Sequence, residues 1–358
     1  MRKKRNRKKP PLLRRMRLPL FLLLLSCAAV AHFSPNLPSL GHSLAPAPSE
    51  IPIAPYDAAA EDLSEHDTLS HEELPAGAEI SEAVLPEGAP KAAASPALPI
   101  SAITIDGTSG GYEGAGTVYI KNDTDYAVDI PAMLQQKTAI AYSASEPAVL
   151  IVHTHATEAY TPDSANSYVT SDTNRTTDTN YNVVRVGTEI EKILNANGIK
   201  TLHAADLNDY PSYNGAYSRT LNVISQYMKK YPSIKFVIDV HRDAMVTASG
   251  KKYKTVAQIN GRQTAQLMLV AGTDAGGLTH DRWRENLAWM TKLQSAMNKK
   301  YPGIMRPINI RAARFNEHVT TGSILLEVGT SGNTLDEAIY SAQLFAQTLS
   351  EQIAPLKK

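Results

Sequence analysis

Two spacings alternate along the chain from about residue 138 onward. Short apolar or β-branched stretches at Ala148 to Val152, Ile199 to His203, Lys235 to Val240, Tyr253 to Ile259, Gln266 to Val270, Ile308 to Ile310 and Ser323 to Val328 read as strands. Between them apolar residues recur at every third or fourth position. A helix is predicted from about Asn182 to Asn197, with Val183, Val186, Ile190, Ile193 and Leu194 on one face and Gly198 ending it. Tyr217 to Lys230 repeats the pattern with Leu221, Ile224 and Met228 inward, followed by helices over Asp281 to Lys300 and about Thr334 to Ile353. Alternating strands and helices predict an α/β domain over residues 138–358, a three-layer sandwich around a mixed, mostly parallel sheet. Residues 100–137 predict a small β lead-in, with strands at Ser101 to Ile105, Gly116 to Ile120 and Tyr126 to Ile130. The Gly-rich piece Gly107 to Gly116 has no Lys-Ser/Thr ending and no helix after it, so it reads as a turn and not a phosphate loop.

The first hundred residues follow neither pattern. Residues 1–17 hold ten Lys or Arg and no acid, and an uncharged apolar run from Leu18 to Phe33 follows. That order predicts an N-terminal membrane anchor with its basic end in the cytoplasm and the rest of the chain extracytoplasmic. A cleaved signal at Ala29-Val-Ala-His32 or a lipidated Cys27 is the alternative. Residues 34–99 contain half of the 22 prolines, eleven acids, one base (Lys91) and one aromatic (Tyr56). Such a stretch buries too little apolar surface to offset the entropy of ordering it, so it reads as a disordered tether. Subtracting these two segments from the overall +1 leaves about +1 for residues 100–358. A near-neutral domain argues against a nucleic-acid partner.

Cys27 is the only cysteine, which removes thiolate chemistry from the globular part and leaves His and carboxylates as metal ligands. These gather where strands end. The strand at Ala148 to Val152 runs into His153, His155 and Glu158; Phe236 to Val240 runs into His241-Arg-Asp; Ser323 to Leu326 runs into Glu327. In open α/β sheets ligands collect outside the carboxyl ends of strands, so segments remote in sequence can share one site. Two imidazoles and a carboxylate form the donor set of a catalytic zinc, and a hydrolase is the reading that follows.

Five longer stretches carry a resemblance: His153-Thr-His-Ala-Thr-Glu-Ala-Tyr160, Thr177-Asp-Thr-Asn-Tyr-Asn-Val-Val-Arg-Val-Gly187, Tyr210-Pro-Ser-Tyr-Asn-Gly-Ala-Tyr217, Ile238-Asp-Val-His-Arg-Asp-Ala244 and Leu325-Leu-Glu-Val-Gly329. In this order they resemble the stage II sporulation protein P family, over roughly residues 100–358. The resemblance implies a fold similar to zinc carboxypeptidases and amidase-3 enzymes. It implies a zinc-dependent N-acetylmuramoyl-L-alanine amidase acting on peptidoglycan, with peptide-crosslink cleavage besides. It also implies work beside a lytic transglycosylase, stage II sporulation protein D, during forespore engulfment. In the amidase-3 pattern the two His ligands align with His155 and His241, and the catalytic Glu with Glu327. The third ligand there is a Glu just before the first helix, where this chain offers only Asp178. The carboxypeptidase His-x-x-Glu pair instead matches His155 and Glu158, which is preferred, with Asp178 the second candidate.

Glu327 is expected to act as general base. Arg242 is expected to meet a peptide carboxylate, and Asp239 or Asp243 to orient a ligating His through its second nitrogen. His153, just past the strand, would point to the other side of the sheet from the site if the strand persists, and is a weaker candidate for a ligand or substrate contact. His318 is a further candidate for the cleft, while His203 and His280 read as structural. A peptidase limited to stem peptides, or a wall-binding scaffold without activity, are the competing functions.

Overall fold

The computed structural model describes residues 99–358 apart from Asp172 and Ala248. The expected anchor (1–33) and nearly all of the tether (34–99) lie outside the described residues. Among the described residues no helix is long and apolar enough to cross a membrane.

In chain order the elements are β1 (Ser101–Ile103), β2 (Glu113–Ala115), β3 (Val118–Asn122), α1 (Ile130–Gln135), β4 (Val149–Val152), α2 (Val183–Ala196), β5 (Thr201–His203) and α3 (Ala216–Lys230). They continue with β6 (Phe236–Asp243), β7 (Tyr253–Ile259), β8 (Arg262–Ala265), β9 (Leu267–Gly272), α4 (Trp283–Lys300), β10 (Ile308–Arg311), β11 (Ile324–Thr330) and α5 (Leu335–Ile353). Eight strands form the main sheet in the order β2-β3-β10-β9-β11-β6-β4-β5. All neighbours are parallel except β2 with β3 and β9 with β11. The sheet is therefore mixed and mostly parallel, as the alternation of strands and helices predicts.

Strand alternation decides what lies on each face. Val149 and Ile151 of β4, Phe236, Ile238 and Val240 of β6, and Ile324, Leu326 and Val328 of β11 point into the large core shared with α2, α4 and α5. Leu150, Val152 and Val237 point the other way and pack with Ile224 of α3. Next to them, Met268, Val270 and Leu325 are covered by Phe315 from a loop and by Tyr217 from the first turn of α3. One face is thus closed by three helices, and the other by one helix and a loop.

The lead-in does not stand apart. β1 pairs in parallel with β7 in a three-stranded sheet with β8, while β3 joins the main sheet beside β10. Gln266 ties the two together, its side chain accepting from Ile105 N and donating to Ile105 O. The expected strand at Tyr126 to Ile130 is absent. Asp129 instead caps α1, accepting from Ala132 N at 2.9 Å with Pro131 in the first turn, an entry to which that proline's fixed φ is suited.

Gly187 of α2 lies against a buried imidazole pair. His153 points to the α2 side of the sheet, as its position in the alternation predicts. Its Nδ1 lies 3.0 Å from Val240 O and its Nε2 2.8 Å from His203 Nε2. A carbonyl can only accept, so His153 carries its proton on Nδ1, accepts on Nε2, and His203 donates. Burial, then the neighbouring His203, lowers the His153 pKa to about 3, which keeps it neutral. A Cβ on Gly187 would sit 2.7 Å from His153 Nε2 and 2.9 Å from His203 Nε2. Gly187→Ala is expected to lower stability by about 1–3 kcal/mol through overpacking, more than the ~1 kcal/mol that alanine brings to a helix. Urea unfolding measures it, and a stabilised variant would show that the imidazoles give way freely.

His280 and His318 form a second pair, with ring centroids 6.4 Å apart. Burial lowers both pKa values to about 4, each also facing Arg314, and His280 facing His318 as well. A histidine whose folded pKa lies below its unfolded 6.5 contributes stability that is fully present above pH 6.5 and lost as pH falls towards 4. Unfolding free energy is expected to decline across that window, with a shallower decline in a His280→Phe, His318→Phe double variant.

Candidate functional site

On the face carrying α3, alternation in β6 presents Asp239, His241 and Asp243 in a row. Parallel register sets Glu327 of β11 directly beside His241. β4 ends at Val152 opposite Asp239, and the chain then turns through His155 to Glu158, whose N–H donates to His155 O at 3.0 Å. Glu158 O accepts from Val183 N at the start of α2, and Ala159 bridges to Asn182. The turn is thereby held between the sheet and the helix. His155, Glu158, His241 and Glu327 are all buried.

Three remote segments therefore meet. The His155 and His241 rings have centroids 5.3 Å apart and lie edge to face. His241 stands between two carboxylates, with Nε2 3.0 Å from Asp239 Oδ1 and Nδ1 3.5 Å from Glu158 Oε2. Asp239 is itself fixed, accepting from Thr154 N at 2.8 Å and from Thr154 Oγ1 at 2.5 Å. Burial pushes the His241 pKa down, but Asp239 and then Glu158 outweigh it and raise it well above the ordinary value. For Glu158, burial favours protonation. The close approach of the His241 ring and the charges of Arg242, His241 and Arg175 hold it well below the usual carboxylate range. Glu327 has the opposite balance. Burial raises its pKa, His241 offsets this in part, and Asp243 and Glu158 raise it further.

The remaining candidates separate cleanly. Asp178 is exposed and occupied by its own turn, accepting from Asn180 N and Nδ2 at 3.0 and 2.8 Å, so the carboxylate that joins the two imidazoles is Glu158. Asp243 pairs with buried Arg306 at 2.8 Å, leaving Asp239 as the partner of His241. Arg242 is buried, its Nε donating to Ala159 O at 3.0 Å and its Nη2 to Thr173 O at 2.7 Å. This corrects the expectation of an open substrate contact: the guanidinium straps the loop after Tyr160 onto the sheet. His153 lies on the opposite face, against His203.

Two contributors come from segments without sequence periodicity. Tyr213 stacks on His155 with parallel rings at 4.4 Å, and its hydroxyl lies 3.2 Å from His155 Nε2. In a stack that hydroxyl approaches from the ring face and not along the nitrogen lone pair, so the contact shields the ring more than it fixes a tautomer. Arg175 brings Nη2 to 3.6 Å from Glu158 Oε1. Tyr213 falls within the Tyr210–Tyr217 stretch quoted above, whereas Arg175 carries no sequence signal.

Among the described residues no three His, Cys, Asp or Glu side chains close around one point as a finished metal shell. The donor chemistry nevertheless suits a divalent cation. Both ring nitrogens of His241 and Glu327 Oε2 are buried without an aligned hydrogen bond, a state that polar atoms avoid unless a partner is supplied. Two ligands on a tetrahedral zinc lie roughly 3.3 Å apart, given bond lengths of about 2.0–2.1 Å. The separation of Glu158 Oε2 from His241 Nδ1, 3.5 Å, is close to that.

Losing Arg242 should be felt as lost stability and not as weakened substrate affinity. Arg242→Met strands two buried carbonyls and is expected to cost about 2–4 kcal/mol. Chemical denaturation checks it; an unchanged midpoint with a raised KM would return Arg242 to substrate binding.

Sequence comparison places these residues among relatives. Over 214 residues the chain is 27% identical to the stage II sporulation protein P of Bacillus subtilis strain 168, covering 57% of this chain and 50% of that protein. The matched region thus spans half of the curated relative's length. Among solved structures, the N-acetylmuramyl-L-alanine amidase Ami1 of Mycobacterium abscessus overlays 58% of the chain and 98% of its own at 12% identity, with a TM-score of 0.33. The catalytic domain of the amidase CwlV from Paenibacillus polymyxa overlays 58% and 98% at 14% identity and the same score. The model of the stage II sporulation protein P family matches residues 104–350, which include every strand and turn that carries a site residue. On that match the chain belongs to the stage II sporulation protein P family.

Proposed function

We propose that this chain is a peptidoglycan hydrolase of sporulation, a zinc-dependent N-acetylmuramoyl-L-alanine amidase that cuts the amide between the lactyl group and the stem peptide. The observation that carries the reading is the meeting of His155, Glu158 and His241 beside Glu327 on one buried sheet end. Family membership supports it.

His155, Glu158 and His241 would hold the zinc. When bound, zinc supplies a Lewis acid for the scissile carbonyl and brings the pKa of water to about 7. Asp239 holds Nε2 of His241 and so turns Nδ1 towards Glu158, which fixes the ring nitrogen offered to the metal. Glu327 accepts a proton from the attacking water at its carboxylate and returns it to the departing amine. Its burial suits that task, since withdrawal from water raises its pKa above the ordinary carboxylate range and eases uptake of a proton. Parallel pairing with β6 keeps it from drifting. Met268, opposite Glu327 across the antiparallel partner, and Leu325 keep that side of the site apolar.

The same reading extends to the cell surface. The basic segment followed by an apolar run supports a single N-terminal membrane anchor with the enzyme outside the cytoplasm, and family membership supports a lytic transglycosylase as a working partner on the same polymer.

Purified wall treated with the protein is expected to release peptides with a free N-terminal L-alanine, detected by mass analysis of the products. Cuts confined to the peptide would instead make it a peptidase. His155→Ala and His241→Ala are expected to lose most bound zinc in metal analysis. Glu327→Gln should keep its zinc while its kcat drops by about 10²–10⁴. Full activity in Glu327→Gln would sink the mechanism.

A further inference from the structure

With Arg242 committed to backbone carbonyls, the guanidinium that faces the candidate centre is Arg175. A short antiparallel bridge pairs Arg175 with Glu158, flanked by Ala159 N to Asn174 O at 2.8 Å and Thr176 N to Thr157 O at 2.9 Å. Cross-strand neighbours keep their side chains together. Nη1 of Arg175 is anchored, 2.9 Å from Asp209 Oδ2 and 3.3 Å from Thr157 Oγ1. Asp209 is fixed in turn by Thr157 N and Thr157 Oγ1. The Tyr213 ring lies with its centroid 5.0 Å from Cζ, a cation–π contact on the same guanidinium. Held in this way, Nη2 faces Glu158 Oε1 at 3.6 Å. The other oxygen, Oε2, faces His241 and accepts from Arg242 N at 3.0 Å. One carboxylate is thus divided between a fixed guanidinium on Oε1 and the position beside His241 on Oε2.

We propose that Arg175 is a positioning residue that sets how strongly Glu158 holds a divalent cation. The proposal rests on the zinc reading above. Charge drawn towards Oε1 is withheld from a cation on the Oε2 side, and the guanidinium itself repels that cation. The side chain is 11% exposed, so solvent screens little of either effect. Looser binding leaves more charge on the metal and a stronger pull on a substrate carbonyl. An arginine is required because its planar fork serves Asp209 and Glu158 together, which a lysine's single nitrogen does less well.

The sign of the effect separates this role from scaffolding. If Arg175 merely held Glu158 in place, removing it would weaken metal binding; if it competes for the carboxylate, removing it tightens binding. Zinc dissociation constants are measured by chelator competition on the full-length wild-type chain and on Arg175→Lys, Arg175→Gln and Arg175→Met. Arg175→Gln and Arg175→Met are expected to bind zinc about tenfold more tightly, with Arg175→Lys between these and wild type. At saturating zinc, Arg175→Gln should show a lower kcat with KM unchanged. Arg175→Gln keeps a donor for Asp209 and carries the test if Arg175→Met does not fold. A folded Arg175→Gln with unchanged or weaker zinc affinity overturns the proposal and leaves the amidase reading standing. A wild-type chain that binds no zinc removes the centre itself, and both fall together.

Discussion

Three carboxylates, Glu158, Asp239 and Glu327, are kept out of water around one imidazole, and the rest of the structure has to make that tolerable. A buried unpaired carboxylate is costly, so each needs a named compensation. Asp239 has two donors from Thr154 and the His241 ring. Glu158 has His241, the Arg242 N–H and the Arg175 guanidinium. Glu327 is served least, with one oxygen lacking any hydrogen-bond partner. That inequality matches the roles proposed for them: the satisfied carboxylates hold their places, and the unsatisfied one is left able to take a proton.

Much of this was legible in the residues because β-strand alternation is a strict rule. Once Phe236 to Val240 is a strand, Asp239 and His241 must share a face, and once Ala148 to Val152 is a strand, His153 must follow Val149 and Ile151 to the other face. Helix limits were legible for a similar reason. Asn182 caps α2 and Thr334 closes a capping box with Glu337 on α5, both close to where the periodicity placed them. The choice between Glu158 and Asp178 depended on which way a turn folds, and spacing alone left it open. Arg175, Asp209 and Tyr213 were missed because they belong to irregular segments whose positions are set by long-range hydrogen bonds, not by a repeat. The reversal of β9 against β11 was equally hidden, since apolar runs carry no sign of direction.

The irregular segments are not loose. Arg219 holds the stretch before α3, donating from Nε to Asn208 O at 2.6 Å, from Nη1 to Asn214 O at 3.0 Å and from Nη2 to Ser212 O at 2.5 Å. This keeps Tyr213 over His155. On the other side, Arg242 reaches Thr173 O, while Asn174 donates to Ser331 O at 2.6 Å and accepts from Lys252 Nζ at 3.0 Å. Precision at the site is therefore supplied by two arginines that never touch substrate in the proposed chemistry, and a change to either would be felt in stability before it was felt in turnover.

The parallel pairing of β1 with β7 has a mechanical corollary. Ser101 N donates to Lys252 O at 3.1 Å, and only three residues of β1 are in register with β7. Any load arriving along the backbone upstream of Ser101 is borne in shear by that short ladder, one residue from the lysine that grips Asn174. Ser101 and Asn174, the neighbour of Arg175, are thus joined through Lys252, so a pull on the backbone upstream of Ser101 would reach the loop beside Glu158.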